Sequence, residues 1–197
     1  AENSGGVHCL KYGLTVHNVL EVQLVTMDGG LLTIGSRAGD APGLNLLAAV
    51  IGSEGMLGVV VEATVCLLPV PRRVELLLAA FDDVGRCADA VGRLIASGVL
   101  PAGLEMMDAP AIRAAEAFAT CGYPLDAQAL LLCEVDGLDA DVADEVRRAR
   151  DAIRDAGATS VRLAVDAQER HRLWSGRKSA FPAVGRLAPD YYCMDGT

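Results

Sequence analysis

With 197 residues, 52% hydrophobic and 22% charged, the chain has the composition of a globular protein and excludes a disordered one. A net charge of -9 provides no basic surface for nucleic acid or an anionic membrane, and no apolar stretch reaches the ~18 residues that span a bilayer. The six cysteines are scattered with no C-x-x-C pair, so we expect free thiols in a reducing, cytoplasmic compartment.

The chain opens on Ala1-Glu2-Asn3-Ser4-Gly5-Gly6-Val7-His8-Cys9-Leu10-Lys11-Tyr12-Gly13, where small polar residues and glycines allow backbone N–H groups to cradle an anion. A polar loop reads the same way. There is no initiator Met and no signal-like region, and the last residues follow closely on a tyrosine pair. We therefore expect an interior piece of a longer protein. Val19 to Thr26 alternates with the period of a half-buried strand, Met27-Asp28-Gly29-Gly30 is a turn, and Leu31 to Ile34 is the returning strand. Gly35 to Pro42 reads as a loop, and Gly43 to Ala49 as one or two helical turns. Gly52, Gly55 and Gly58 then recur every third residue and feed a strand from Val59 to Leu68. Such a turn either closes a hairpin or lets a flat cofactor lie against main chain. It is neither a Walker loop nor a dinucleotide fingerprint, because no Gly-Lys-Ser/Thr follows and it precedes a strand.

Pro69-Val70-Pro71-Arg72-Arg73 ends that strand, since proline cannot donate to a ladder. We place a domain border here, dividing the chain into residues 1–71 and 72–197. Beyond it, strands alternate with helices. Val74 to Phe81 is a strand; Asp82 or Asp83 caps a helix to about Ala96, with Val84, Cys87, Val91, Leu94 and Ile95 on one face. Pro101 to Met107 is a short strand and Ala109 to Ala119 a helix. Gln128 to Val135 is a strand, Asp139 or Asp141 starts a helix to Ala156, and Gly157 stops it. Thr159 to Val165 is the last strand, and Asp166 caps a helix to about Ser179. Without the helix at Ala109 to Ala119 the order is β-α-β-β-α-β, an α+β arrangement that reads as a ferredoxin-like sheet.

The opening segment, the turn Gly52-Ser53-Glu54-Gly55-Met56-Leu57-Gly58-Val59-Val60 and Pro69-Val70-Pro71-Arg72 together resemble the vanillyl-alcohol-oxidase/PCMH flavoprotein family. The nearest likeness is its FAD-linked oxidase branch, which holds glycolate oxidase flavin subunits, D-lactate dehydrogenases and D-2-hydroxyglutarate dehydrogenases. Leu173-Trp174-Ser175-Gly176-Arg177-Lys178 and Tyr191-Tyr192-Cys193-Met194-Asp195-Gly196-Thr197 look most like the glycolate oxidase subunit. The resemblance implies the C-terminal part of a PCMH-type FAD-binding domain followed by part of a ferredoxin-like cap domain. It implies FAD as cofactor and oxidation of a small 2-hydroxy acid to the 2-oxo acid. It also implies an iron-sulfur subunit and a second flavin-domain subunit as partners, through which a cytoplasmic protein becomes peripheral to the inner membrane.

Carried over residue by residue, the resemblance assigns cofactor contacts to Asn3, Ser4, Gly5, Gly6, Gly55, Gly58, Val59 and Val60. Glu54 receives a structural or ribityl-side role, because a carboxylate is unhelpful beside pyrophosphate. Arg177 is the candidate substrate residue. Its guanidinium offers a planar fork for a carboxylate, whereas Lys178 lies about 100° further round the helix. The alternative is a surface arginine. Relatives that bind the diacid carry a lysine near the position of Cys193; none stands here, so a small monocarboxylate fits better. His8, His17 and His171 share no metal-ligand spacing, and no catalytic base is assigned, since the family's catalytic histidines and metal pair belong to a downstream segment. An interaction module without cofactor is the alternative from another class, and the glycine pair speaks against it.

Overall fold

The computed structural model describes residues 1–38, 43–188, 190 and 192. The last part of the Gly35 to Pro42 loop, and Tyr191 and residues 193–197 of the tyrosine motif, lie outside the described residues. The chain divides into two compact units, Ala1–Val70 and Pro71–Thr197.

In the first unit, a 3-10 turn over Gly6–His8 leads into two short helices, α1 (Cys9–Tyr12) and α2 (Thr15–Asn18). From sequence the start of this stretch reads as an anion cradle or a polar loop, with no helix. The two helices are a single turn each, too short for apolar periodicity to register. Strands β1 (Val19–Val25) and β2 (Leu31–Gly35) form the expected hairpin. Thr26 N and Gly30 O close it at 2.9 Å, and Gly29 sits at φ 81°. Helix α3 (Leu46–Val50) is capped by the Asn45 side chain, which accepts from Ala48 N. Strand β3 (Val59–Val65) completes a three-stranded antiparallel sheet of order β2-β1-β3. It stops short of Leu68, although Cys66 N still bonds Asn18 O at 2.8 Å. Val22, Leu24, Ile34 and Val50 make the small core of this unit.

The second unit begins with β4 (Arg73–Phe81) and α4 (Val84–Ala96), whose N-cap Asp83 accepts from Arg86 N. Strand β5 (Gly103–Asp108), helix α5 (Ala109–Ala119), strand β6 (Ala129–Gly137), helix α6 (Asp139–Asp155) and strand β7 (Ser160–Leu163) follow. Helices α7 (Ala167–Lys178) and α8 (Ala180–Val184) close the described chain. The sheet order is β5-β6-β4-β7 with every neighbouring pair antiparallel, the ferredoxin-like split βαβ. The two central strands carry the longest apolar runs: Leu76 to Phe81 and Ala129 to Cys133 are buried on both faces. On α4 the inward stripe is Cys87, Ala90 and Leu94. Val84 and Ile95 fall at its margins and are exposed, contrary to the face expected from spacing.

Alternation divides the sheet's two faces. Leu77, Ala79, Phe81, Leu131, Cys133 and Val135 pack with α4 and α6. Residues of opposite parity, including Glu105, Leu132 and Glu134, face the other way, toward α5, α7 and α8. Helix α7 has no apolar stripe, and it docks through polar contacts that step across the sheet. Glu169 pairs with Arg162 on β7, Trp174 Nε1 donates to Glu134 Oε2 on β6 at 2.6 Å, and Arg177 pairs with Glu105 on β5. At about 1.5 Å per residue, Glu169 to Arg177 spans about 12 Å. The three strand spacings from β7 to β5 span about 14 Å. The helix therefore matches the width of the sheet it crosses.

Candidate functional site

The glycine turn and the opening segment meet within the first unit. Ala1 O accepts from Gly52 N at 2.7 Å and from Glu54 N at 3.1 Å. Asn3 Oδ1 accepts from Val16 N at 2.9 Å, and Thr15 Oγ1 donates to Ser4 O, so the segment is tied to α2 as well. Asn3, Glu54, Gly6, Gly52, Gly55 and Gly58 all have positive φ. Two adjoining segments thus present backbone in a conformation that L side chains seldom adopt.

The glycines divide by what a side chain would meet. At Gly5 a Cβ would lie 2.3 Å from Cys9 Cβ, and at Gly58 it would lie 2.5 Å from Leu24 Cδ1 and 2.6 Å from Val25 O. Both are required by packing within the unit. At Gly6 a Cβ would meet nothing within 4 Å, and at Gly55 only Gly58 O at 4.0 Å. Their main chain faces open space, which is the property a cradle for a flat group needs. Glu54 is exposed, and Val59 and Val60 beside the turn are exposed on β3. These residues fit a cofactor that contacts backbone and apolar edge without an ionic partner.

The second constellation lies within the second unit, at the end of α7. Asp166 caps the helix, accepting from Glu169 N at 2.7 Å. Glu169 in turn accepts from Val165 N at 2.7 Å, and that bond, with Arg162, holds its carboxyl below the usual range. Trp174 and Glu134 are both buried. Arg177, in the last turn, donates from Nε to Glu105 Oε2 at 3.0 Å, and its Nη2 forms an ion pair with the same oxygen at 2.8 Å. The side chains of this pair are 29% and 20% exposed. Arg177 opens onto an apolar depression lined by Met106, Met107, Phe181 and Val184, whereas Lys178 is exposed. The guanidinium is thus neither a freely solvated surface group nor buried out of reach.

Gly176 explains how close the helix lies. A Cβ there would be 2.4 Å from Cys121 Sγ and 2.7 Å from Tyr123 Oη. The Cys121–Tyr123 turn is shaped by Glu116, whose carboxylate accepts from the backbone N–H of Cys121, Gly122 and Tyr123 at 2.9–3.1 Å. Burial raises the Glu116 carboxyl, but these donors together outweigh it and hold the group below the usual range. Tyr123 then donates its hydroxyl to Leu173 O of α7. Burial, then the neighbouring Glu116, push the Cys121 thiol up to about 12; burial alone does the same to Cys87.

Glu105, Glu134 and Gly176 were not singled out by sequence reasoning. The available signal was a lone carboxylate inside an apolar strand, in Leu104-Glu105-Met106-Met107 and Leu132-Cys133-Glu134-Val135. Such an acid calls for a partner. Among the described residues no His/Cys/Asp/Glu cluster fit for a metal is present; His17 Nδ1 accepts from Leu14 N instead. Nor, among them, is any helix long and apolar enough to cross a membrane.

The family described as FAD linked oxidases, C-terminal domain, matches residues 70–197. Over all 197 residues the chain is 61% identical to the glycolate oxidase subunit GlcD of Escherichia coli K12, covering 40% of that protein. It is 36% identical to the glycolate oxidase subunit GlcD of Bacillus subtilis 168, again over the whole chain and 42% of that protein. The chain therefore spans about two-fifths of the length of these curated relatives. The solved structure of alkyldihydroxyacetonephosphate synthase superposes with a TM-score of 0.71, at 20% identity, over 95% of this chain and 36% of that one. At that identity the likeness is one of fold.

Proposed function

Because the chain belongs to the FAD-linked oxidase family, we propose that the intact protein oxidises a small, glycolate-like 2-hydroxy acid to its 2-oxo acid with FAD as cofactor. In this reading residues 1–71 are the C-terminal portion of the FAD-binding domain, and residues 72–197 begin the cap that holds substrate. The chemistry FAD supplies when bound is two-electron acceptance. Gly6 and Gly55 offer it open backbone, with Asn3, Ser4, Gly5, Glu54, Gly58, Val59 and Val60 shaping the same surface. The observation that carries the reading is Arg177, half-buried, held on one edge by Glu105 and bordering an apolar depression. Its free hydrogens suit one carboxylate, and the apolar wall suits a short substrate without a second charge. Fixing that carboxylate orients the substrate's Cα–H for transfer.

The likeness to glycolate oxidase subunits over the whole chain supports glycolate as the first substrate to try. It also supports placement among partner subunits, an iron-sulfur subunit and a second flavin-domain subunit, with a cytoplasmic protein held peripherally at the inner membrane. The test is the visible spectrum of the purified intact protein, with its steady-state oxidation of glycolate and D-lactate by an artificial electron acceptor. A bound flavin and turnover favouring glycolate are expected. Turnover favouring D-lactate would move the assignment within the family, and a colourless protein with no turnover would overturn it.

A further inference from the structure

We infer that Glu105 is a positioning residue for substrate: it fixes the Arg177 guanidinium in the one orientation that receives a carboxylate. The inference rests on the reading of Arg177 as the substrate residue, and it adds a group that the family likeness does not supply. Arginine carries five N–H hydrogens in a planar fork. Glu105 Oε2 accepts from Nε at 3.0 Å and lies 2.8 Å from Nη2, so it engages the edge of the fork that carries two of them. The hydrogens it does not engage are both on Nη1 and the second on Nη2, the end-on edge that pairs with a carboxylate through two parallel bonds. Arg177 alone would not hold this edge in place. It sits in the last turn of α7, followed at once by the break at Ser179, and its side chain is long and rotamer-rich. Glu105 is anchored differently. It stands within β5, paired with Leu132 of β6, on a sheet whose central strands are buried along most of their length. The ion pair thus transfers the rigidity of the sheet to the tip of a side chain on a helix end. With 29% and 20% of the two side chains exposed, the pair is shielded enough to hold its geometry, yet a ligand can reach it.

A negative group beside the arginine also has a cost, because it offsets part of the attraction for an anionic substrate. Since its charge works against anion binding, what Glu105 supplies to the site is geometry. Charge and geometry separate by substitution. Glu105→Gln removes the charge and keeps an acceptor oxygen at the same reach. Glu105→Asp keeps the charge and withdraws the oxygen by one methylene.

The experiment is steady-state oxidation of glycolate and D-lactate by the intact protein, resolved into KM and kcat, with flavin content measured for each variant. Ordering one long side chain predicts a KM raised about tenfold in Glu105→Asp and in Glu105→Ala, with kcat within about threefold. Glu105→Gln should keep KM within about threefold of wild type, or below it. A merely structural role would reduce folded, flavin-loaded enzyme and hence apparent kcat, leaving KM unchanged. The reverse order, with Gln damaging and Asp harmless, overturns the inference, as does an unchanged KM in all Glu105 variants. Arg177→Ala separates the two levels. If it raises KM while the Glu105 variants do not, only the positioning role falls; if it leaves KM untouched, the substrate reading falls and takes the positioning role with it.

Discussion

The two units build their candidate sites from different materials. In Ala1–Val70 the surface is main chain: Asn3, Gly6, Gly52, Glu54, Gly55 and Gly58 all have positive φ, and of these Gly6 and Gly55 face open space. In Pro71–Thr197 the site is a side chain, Arg177, whose direction is set by Glu105 and whose helix is seated by Trp174, Glu134 and Gly176. A backbone site tolerates many neighbouring side chains but no Cβ on its open glycines. A side-chain site tolerates backbone variation but loses its function with one functional group. The comparison can be broken at either end.

The largest effect is expected at Arg177. Truncation to Ala removes a charge-assisted bidentate contact worth about 2–5 kcal/mol, roughly a 30- to several-thousandfold fall in kcat/KM for glycolate. Arg177→Lys should recover only part, since a point charge does not reproduce the fork. Flavin content should not change. A fall below about threefold would leave Arg177 as no more than the structural partner of Glu105.

Next come the glycines, where structure sharpens what spacing alone left equal. Gly58→Val should cost about 3 kcal/mol or more, through collision with Leu24 and Val25 and a strained φ, and lose flavin by unfolding the β1–β3 pair. Gly55→Val meets open space and should cost about 2 kcal/mol from its φ of 84° alone. It should lose flavin from a protein that still melts cooperatively. Full flavin content in Gly55→Val would end the description of the first site as a backbone cradle.

Gly176→Ala sets two principles against each other. Helix propensity favours Ala by about 1 kcal/mol, while a Cβ at 2.4 Å from Cys121 Sγ costs about 1–3 kcal/mol of overpacking. We expect net destabilisation in denaturant, with a raised KM because the last turn of α7 shifts. A stabilised variant would show that α7 is not seated by close packing.

The smallest effect is on acid stability. The Glu116 carboxyl lies below its ordinary value in the folded chain, so its stabilisation is complete above the unfolded value of about 4.3. It is lost as pH falls from there through the depressed folded value. Glu116→Gln should cost about 1 kcal/mol at neutral pH and flatten that part of the acid limb in urea melts between pH 3 and 6. An unchanged acid limb would remove Glu116 from the support of α7.

Much of the second unit was legible because its periodicities are long. The central strands hold long apolar runs, and Asp83 and Asp166 act as the caps expected of them. The single-turn helices of the first unit were not legible, because four residues hold no repeat. The overshoot of β3 to Leu68 has a similar origin, since an apolar run continues past the last ladder bond. Arg177 stood out through its motif alone. Glu105 did not, because in a short edge strand a Glu reads as a solvent-facing alternate; its meaning depends on α7 crossing above it. The resemblance assigns Gly5 and Gly58 to the cofactor, and each has a packing reason of its own.

The fit of α7 to the width of its sheet bears on how this segment can change in evolution. Three contacts along one helix, each on a different strand, make the spacing between Glu169, Trp174 and Arg177 a fixed length. Substitutions between them leave that length alone. A single inserted or deleted residue anywhere from Arg170 to Gly176 would turn one end by about 100° and slide it by about 1.5 Å relative to the other. Arg177 would then leave Glu105 even with every contacting side chain retained. Homologous chains should therefore vary at the exposed positions of this helix while keeping its count, and insertions should accumulate in the loops before Asp166 or after α8.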